Sequence, residues 1–203
     1  MLSELSMKKI VFLLLIVVAG WKFFNNSGSV SLGPGVLAAD IPKQENIWTS
    51  VSRKMGDYSI TELKTFNIKA KVLAKKNYYT GREADLSPTD LALGWGRMSD
   101  ESIISKIKIT QSNRFYFWRV DSFHIPRREI ETHSANMHLI PANDSVARDI
   151  ANVQEGEIIE ISGSLVEITT NDGWRWKSSL TRNDTGAGAC EVILVESIST
   201  SII

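Results

Sequence analysis

Cys190 stands in the run T-R-N-D-T-G-A-G-A-C-E-V (181–192), and no other cysteine occurs in the 203 residues. A thiol preceded by tiny residues can serve as a nucleophile if a base takes its proton. Two histidines, His133 and His138, are available for that role, with Asn136, Asn143 or Asp144 to orient the imidazole. The backbone N–H groups of Gly188 and Ala189 would then face a developing oxyanion. The competing reading is packing. Cys190 opens a strand whose alternate residues are Val192 and Leu194, and cysteine without a disulfide is among the most buried residue types. On that reading the thiol points inward and the glycines serve the preceding turn.

All three histidines fall within 124–144: His124, His133 and His138. In a strand His133 and His138 have opposite parity, which is poor spacing for a metal pair, so no metal and no cofactor is expected. Arg82, Glu83, Asp85 and Asp90 form a further charged cluster. It reads as helix caps and loop ion pairs rather than as a catalytic carboxylate pair.

Binding chemistry is suggested by N-R-F-Y-F-W-R (113–119), G-W-R-W-K (173–177) and G-W-G (94–96). Trp95, Trp118, Trp174 and Trp176, with Arg119 and Arg175, offer aromatic faces and cations for a sugar or a partner protein. Lys+Arg and Asp+Glu are equal at 23 each, so no overall field steers a polyanion and no nucleic-acid partner is expected.

The elements that position these residues are mostly strands. Phe66, Ile68, Ala70 and Val72 alternate with Asn67, Lys69 and Lys71, which predicts a half-buried strand with the lysines in water. Strands are also predicted at 114–120, 156–168, around 174–180 and at 190–198, with an Asp-Gly hairpin turn at 170–174. Apolar parity changes at Gly163, as at a bulge or sharp bend. L-S-P-T-D-L-A-L (86–93) predicts a helix capped by Ser87, with Pro88 first and Asp90 in the capping-box position. Short helices are also predicted after Ser99 or Asp100, and at 143–153 behind an Asn143 or Asp144 cap.

The N-terminus carries an export signal. Lys8 and Lys9 precede an uncharged run of 12 residues, Ile10 to Trp21. That length suits a signal-peptide core, while the lack of a compact cleavage site suits an uncleaved anchor. Residues 1–24 are therefore expected to be a signal anchor or signal peptide, and 25–46, rich in Gly, Ser, Asn and Pro, a flexible linker. Residues 47–198 form the exported globular domain and 199–203 a tail.

The stretches R-E-A-D-L-S-P-T-D-L-A-L-G-W-G-R-M-S-D, S-A-N-M-H-L-I-P-A and W-R-W-K-S-S-L-T-R-N-D-T-G-A-G-A-C-E resemble those of a family of short bacterial membrane-anchored proteins of unknown function, over roughly residues 60–196. The resemblance implies a bacterial inner-membrane source and brings no site residues.

Together these readings predict an α+β, strand-rich fold: a small bent-sheet or OB-like β-barrel with two or three short helices behind an N-terminal membrane helix. The expected location is the bacterial inner membrane, single-pass, with the C-terminal domain in the periplasm, or the periplasm alone after cleavage. The expected role is a non-catalytic envelope module that binds a partner protein or a cell-wall ligand. The alternative is a Cys/His-dependent hydrolase or transferase.

Overall fold

The computed structural model describes residues 7–17, 28–49, 52–181 and 190–201. Residues 7–17 are helical (α1), and their apolar side chains from Met7 to Val17 are exposed. No helix among the described residues is long and apolar enough to cross a membrane. The rest of the expected anchor, 1–6 and 18–24, lies outside the described residues.

The strands are β1 (Lys43–Asn46), β2 (Ser52–Met55), β3 (Tyr58–Asn77), β4 (Thr89–Gly94), β5 (Lys108–Ser112), β6 (Phe115–Arg119), β7 (Ser134–Pro141), β8 (Ile158–Thr169), β9 (Arg175–Lys177) and β10 (Glu191–Thr200). Four short helices, α2 (Arg82–Leu86), α3 (Glu101–Ile104), α4 (Arg127–Thr132) and α5 (Asp144–Asn152), and a 3-10 turn at Gly96–Ser99 connect them. The sheet is mixed. β3 pairs with β4, β4 with β7, β7 with β10 in parallel, β10 with β8, and β8 again with β3, so the pairings return on themselves.

Strands as long as β3 must bend to complete such a circuit, and the bends are visible as register shifts. β3 slips between Glu62 and Lys64 against β8, and β10 slips between Val195 and Ser197 against the same strand. Each extra residue reverses which side chains face the interior. Ile60 therefore joins one core with Val166, Ile168, Val192 and Leu194, whereas Phe66, Ile68 and Ala70 join another with Ile159, Ile161, Leu165, Ile193 and Val195. The bulge expected in β8 at Gly163 is not found: Ile159, Ile161 and Leu165 face the same core on both sides of it, and the extra residues lie in the neighbouring strands β3 and β10. Gly163 permits their approach: a Cβ there would sit 2.1 Å from the Leu194 carbonyl oxygen.

The second half follows its local signals. Asn143 accepts from the N–H groups of Ser145 (2.9 Å) and Val146 (3.1 Å) to start α5, whose Val146 and Ile150 plug the main core. Lys75 donates to the carbonyls of Ile150, Ala151 and Val153 at its other end.

Several expectations are corrected. Residues 86–93 are no helix. A short helix ends at Leu86 with Ser87 as its C-cap, and Thr89–Gly94 is a strand buried at every residue. Burial between β3 and β7 overrides the helix-favouring Leu and Ala. The helices outnumber the expected two or three. Lys71 is not solvated but buried, its Nζ 2.7 Å from Glu101 Oε1. Residues 28–46 are no loose linker. Ser31 Oγ and the N–H groups of Leu32 and Gly33 donate to Glu101, Val30 N–H donates to the Glu155 carbonyl, and β1 pairs with β3. The folded unit thus begins well before residue 47, and β10 runs to Thr200, into the expected tail.

Glu101 ties this N-terminal strap to the ring. The Lys71 ammonium, then the Leu32 N–H, lower its pKa from the ordinary 4.5 to about 2. A depressed carboxylate stabilises the fold above its unfolded pKa and loses that contribution as pH falls through the folded one. With the side chain 21% exposed, the contribution is about 2–3 kcal/mol. The strap should therefore loosen between about pH 4.5 and 2, read as faster limited proteolysis within residues 29–38. Glu101→Gln should produce the same cleavage at neutral pH, and an unchanged pattern would refute the tie. Gly163→Ala should cost about 3 kcal/mol or more in urea unfolding, since backbone rather than a pliable side chain opposes the added methyl.

Candidate functional site

Asp90 is the second residue of β4, fully buried, on the face of the strand opposite Leu91 and Leu93. A carboxylate without water must find partners within the protein. Arg114 Nη1 donates to Asp90 Oδ1 at 2.7 Å, and Asn136 Nδ2 lies 3.3 Å from Oδ2. His138 Nδ1 is 3.0 Å from the same Oδ2 without the alignment of a hydrogen bond.

Arg114 reaches this position because β5 and β6 form a separate two-stranded ribbon whose turn, Asn113 and Arg114, adopts positive φ at both residues. The guanidinium lies 3.8 Å over the Tyr78 ring and also donates to the Ser87 carbonyl. Gln111 Nε2 donates to Asn136 Oδ1 at 2.6 Å, and Tyr116 Oη is 2.6 Å from Ser134 Oγ. The ribbon is thus fastened onto the outer face of β4 and β7 by a nearly dry polar layer. The sequence singles out Asp90, but for a helix cap. Nothing local in the sequence pairs it with Arg114, 24 residues away.

Cys190 is half-buried at the edge of this layer, its Sγ 4.0 Å from the Arg114 carbonyl oxygen. Glu191 pairs with Met137 and Val192 with His138, so Cys190 comes level with Asn136 and projects from the same face as His138. The His138 ring is walled by Trp176, with centroids 5.0 Å apart, and by Asp90. His133 is elsewhere: it ends α4 and packs near Trp95, 6.3 Å between centroids. It cannot act on Cys190 together with His138, so of the expected Cys/His set only His138 and Asn136 accompany the thiol. Gly188 and Ala189 lie outside the described residues. Among the described residues no group of three His, Cys, Asp or Glu side chains is placed to hold a metal.

The expected binding residues separate. Trp95 is fully buried in the main core, which removes it from any surface. Trp118 packs half-buried under the ribbon with Ile109 and Val120, while Arg119 is exposed on the ribbon's other side. Trp174 and Trp176 remain together, 6.3 Å apart, with Arg175 exposed between them and paired to Glu167.

Around Trp174 the sequence reasoning missed a cleft. Tyr58 meets Trp174 edge-on at 5.9 Å, and Arg82 stands 6.0 Å over the indole while paired with Asp172. The cleft, about 290 Å³, is lined by Asp57, Tyr58, Arg82, Thr170, Asn171 and Asp172. Hydrogen bonds from Arg82 and Thr170 hold the Asp172 carboxyl well below the usual range, and burial with nearby Asp85 raises the Tyr58 phenol. The β2–β3 turn, α2 and the β8–β9 turn meet here, and the clue in the sequence was the N-D-G-W turn itself.

If the Asp90–Arg114 pair fastens the ribbon, Asp90→Ala and Arg114→Ala should each cost about 3–5 kcal/mol in urea unfolding, because each strands a buried charge. The double variant should cost far less than their sum, and additive losses would show that the pair does not couple. No family model, no curated protein and no solved structure matches this chain.

Proposed function

We propose that this chain is a non-catalytic envelope module, held at the bacterial inner membrane by its N-terminal apolar run, and that its aromatic corner binds a cell-wall glycan. The observation that carries the reading is a surface cleft lined by Tyr58 and Arg82, with Trp174 set against both at 5.9 Å and 6.0 Å and Trp176 beside Trp174. Sugar rings present C–H faces to indole and phenol rings and hydroxyls to amide and carboxylate edges. Asn171, Asp57 and Thr170 supply such edges here.

The order of the ring strands supports an OB-like small barrel. A parallel pair joins the third and fifth ring strands, β7 and β10, and α5 connects the third to the fourth. In that architecture the loops joining the first two strands and the last two flank the ligand, and oligosaccharides are among the ligands held there. α2 and the β8–β9 turn belong to those two connections.

A second reading, a hydrolase or transferase using Cys190, is favoured by one observation. His138 and Cys190 share a face, and with Nδ1 turned to Asp90 the ring leaves Nε2 on its far side. An activated thiol would react faster than a small-thiol control at neutral pH, and His138→Ala would slow it. The half-buried position predicts the reverse: alkylation of native Cys190 at least tenfold slower than in denaturant.

The glycan reading is tested with isolated murein sacculi and soluble glycan-strand fragments. The intact chain should co-sediment with sacculi. Trp174→Ala should weaken fragment binding about tenfold or more, as truncation of a central aromatic anchor does. Indifference to Trp174→Ala, or no binding at all, would overturn it.

A further inference from the structure

We propose that the outer face of the β5–β6 ribbon docks onto an anionic lipid surface. The inference stands apart from the glycan reading and uses other residues.

The ribbon has two faces. Gln111, Tyr116 and Trp118 turn toward the ring and α4. The opposite face carries three cross-strand pairs, Lys108 with Arg119, Thr110 with Phe117, and Ser112 with Phe115. Phe115 is 41% and Phe117 54% exposed, so two large apolar rings stand side by side in water. Single exposed apolar residues need no explanation, but adjacent phenylalanines on a ribbon that packs by its other face do.

The charges on this face say what covers it. Lys108 and Arg119 sit directly opposite one another, an arrangement of like charges that destabilises a sheet. Among the described residues neither has an ion-pair partner. In the wider segment Arg114 is paired with Asp90, and Arg127 and Arg128 with Glu131, whereas Lys106, Lys108 and Arg119 have no ion-pair partner among the described residues. Unpaired cations beside exposed phenylalanines match the two layers of an anionic bilayer surface: headgroup phosphates for Lys108 and Arg119, and the acyl boundary for Phe115 and Phe117. A ribbon rising about 3.4 Å per residue places Phe115 and Arg119 about 14 Å apart, so a tilted ribbon can insert one end and keep the other at the phosphates.

The test uses the full chain with Cys190→Ser and Thr110→Cys, labelled at residue 110 with a polarity-sensitive fluorophore. The labelled protein is mixed with vesicles of phosphatidylcholine alone or with 30% phosphatidylglycerol, each with brominated acyl chains. α1 can associate with either vesicle, but the label reports only the ribbon. The expected result is a blue shift and bromine quenching with the anionic vesicles, falling away with salt. Lys108→Gln with Arg119→Gln should lower the docked-to-undocked ratio roughly 25-fold, from about fivefold per charge. Phe115→Ser with Phe117→Ser should abolish quenching while the unfolding midpoint stays near that of the parent, because both rings already face water. A label that stays in water with anionic vesicles overturns the proposal. So does quenching of equal strength in phosphatidylcholine alone, or shielding that grows with protein concentration in the absence of lipid, which would make a second copy the occupant.

Discussion

A carboxylate that no water reaches organises one whole side of this protein. Asp90 sits near the start of a strand buried along its full length, and ionised it would be untenable there alone. Its charge is answered by Arg114, which comes from a different sheet. For the guanidinium to arrive, the β5–β6 turn must take up two consecutive positive-φ residues, neither of them glycine, and Tyr78 must provide a floor beneath it. Asn136 and His138, from the neighbouring β7, complete the shell. The ribbon, the β3–β4 connection and the end of β10 with Cys190 are therefore located by one ion.

The ring is governed by a different constraint. Five strands whose pairings return on themselves cannot stay straight, and the strain is discharged in β3 and β10 through single extra residues. Because a one-residue slip swaps the faces of a strand, these bulges divide the apolar residues between two cores. One fills the ring and is plugged by α5. The other lies outside and is roofed by Tyr58, Trp174 and Trp176. The aromatic corner is thus first of all a consequence of folding, since those rings cover apolar surface that the bulges turned outward. Rings held rigidly for packing present their remaining edges in fixed positions, and that preorganisation lowers the entropic cost of binding.

What could be read from the chain follows the range of the interactions involved. The Asn143 cap, the α5 periodicity, the Asp-Gly turn and the alternation of Phe66 to Val72 rest on neighbours within a few residues, and each is found where expected. The helix expected at 86–93 gives way to β4 because Ser-Pro-Thr-Asp before Leu and Ala is a sound helix start only locally, and two flanking strands make it extended. The alternation expects Lys71 in water because nothing nearby in sequence foretells Glu101, 30 residues on. The composition of the strap alone suggests a linker. Its close docking is allowed by a glycine on the other side of the interface: Gly156 has φ +87, and a Cβ there would come within 1.9 Å of the Val30 carbonyl oxygen.

The ribbon shows why the polar layer has to be polar. Its aromatic residues do not alternate with polar ones. Phe115, Tyr116, Phe117 and Trp118 are consecutive, so hydrophobicity alone gives nearly the same burial whichever face turns inward. An apolar contact with β4 and β7 would hold the ribbon in either orientation or in a slipped one. Hydrogen-bonding chemistry breaks that degeneracy. Tyr116 can meet Ser134, and Gln111 can meet Asn136, only in the observed register, and Arg114 reaches Asp90 from that turn alone. A buried ion pair adds little net stability compared with well-packed apolar groups of the same size, but a misregistered ribbon would leave Asp90 without its cation, at a cost of several kcal/mol. Register is thus selected by penalty rather than by attraction. The same selection decides that Phe115 and Phe117, and not Tyr116 and Trp118, are the rings left facing outward.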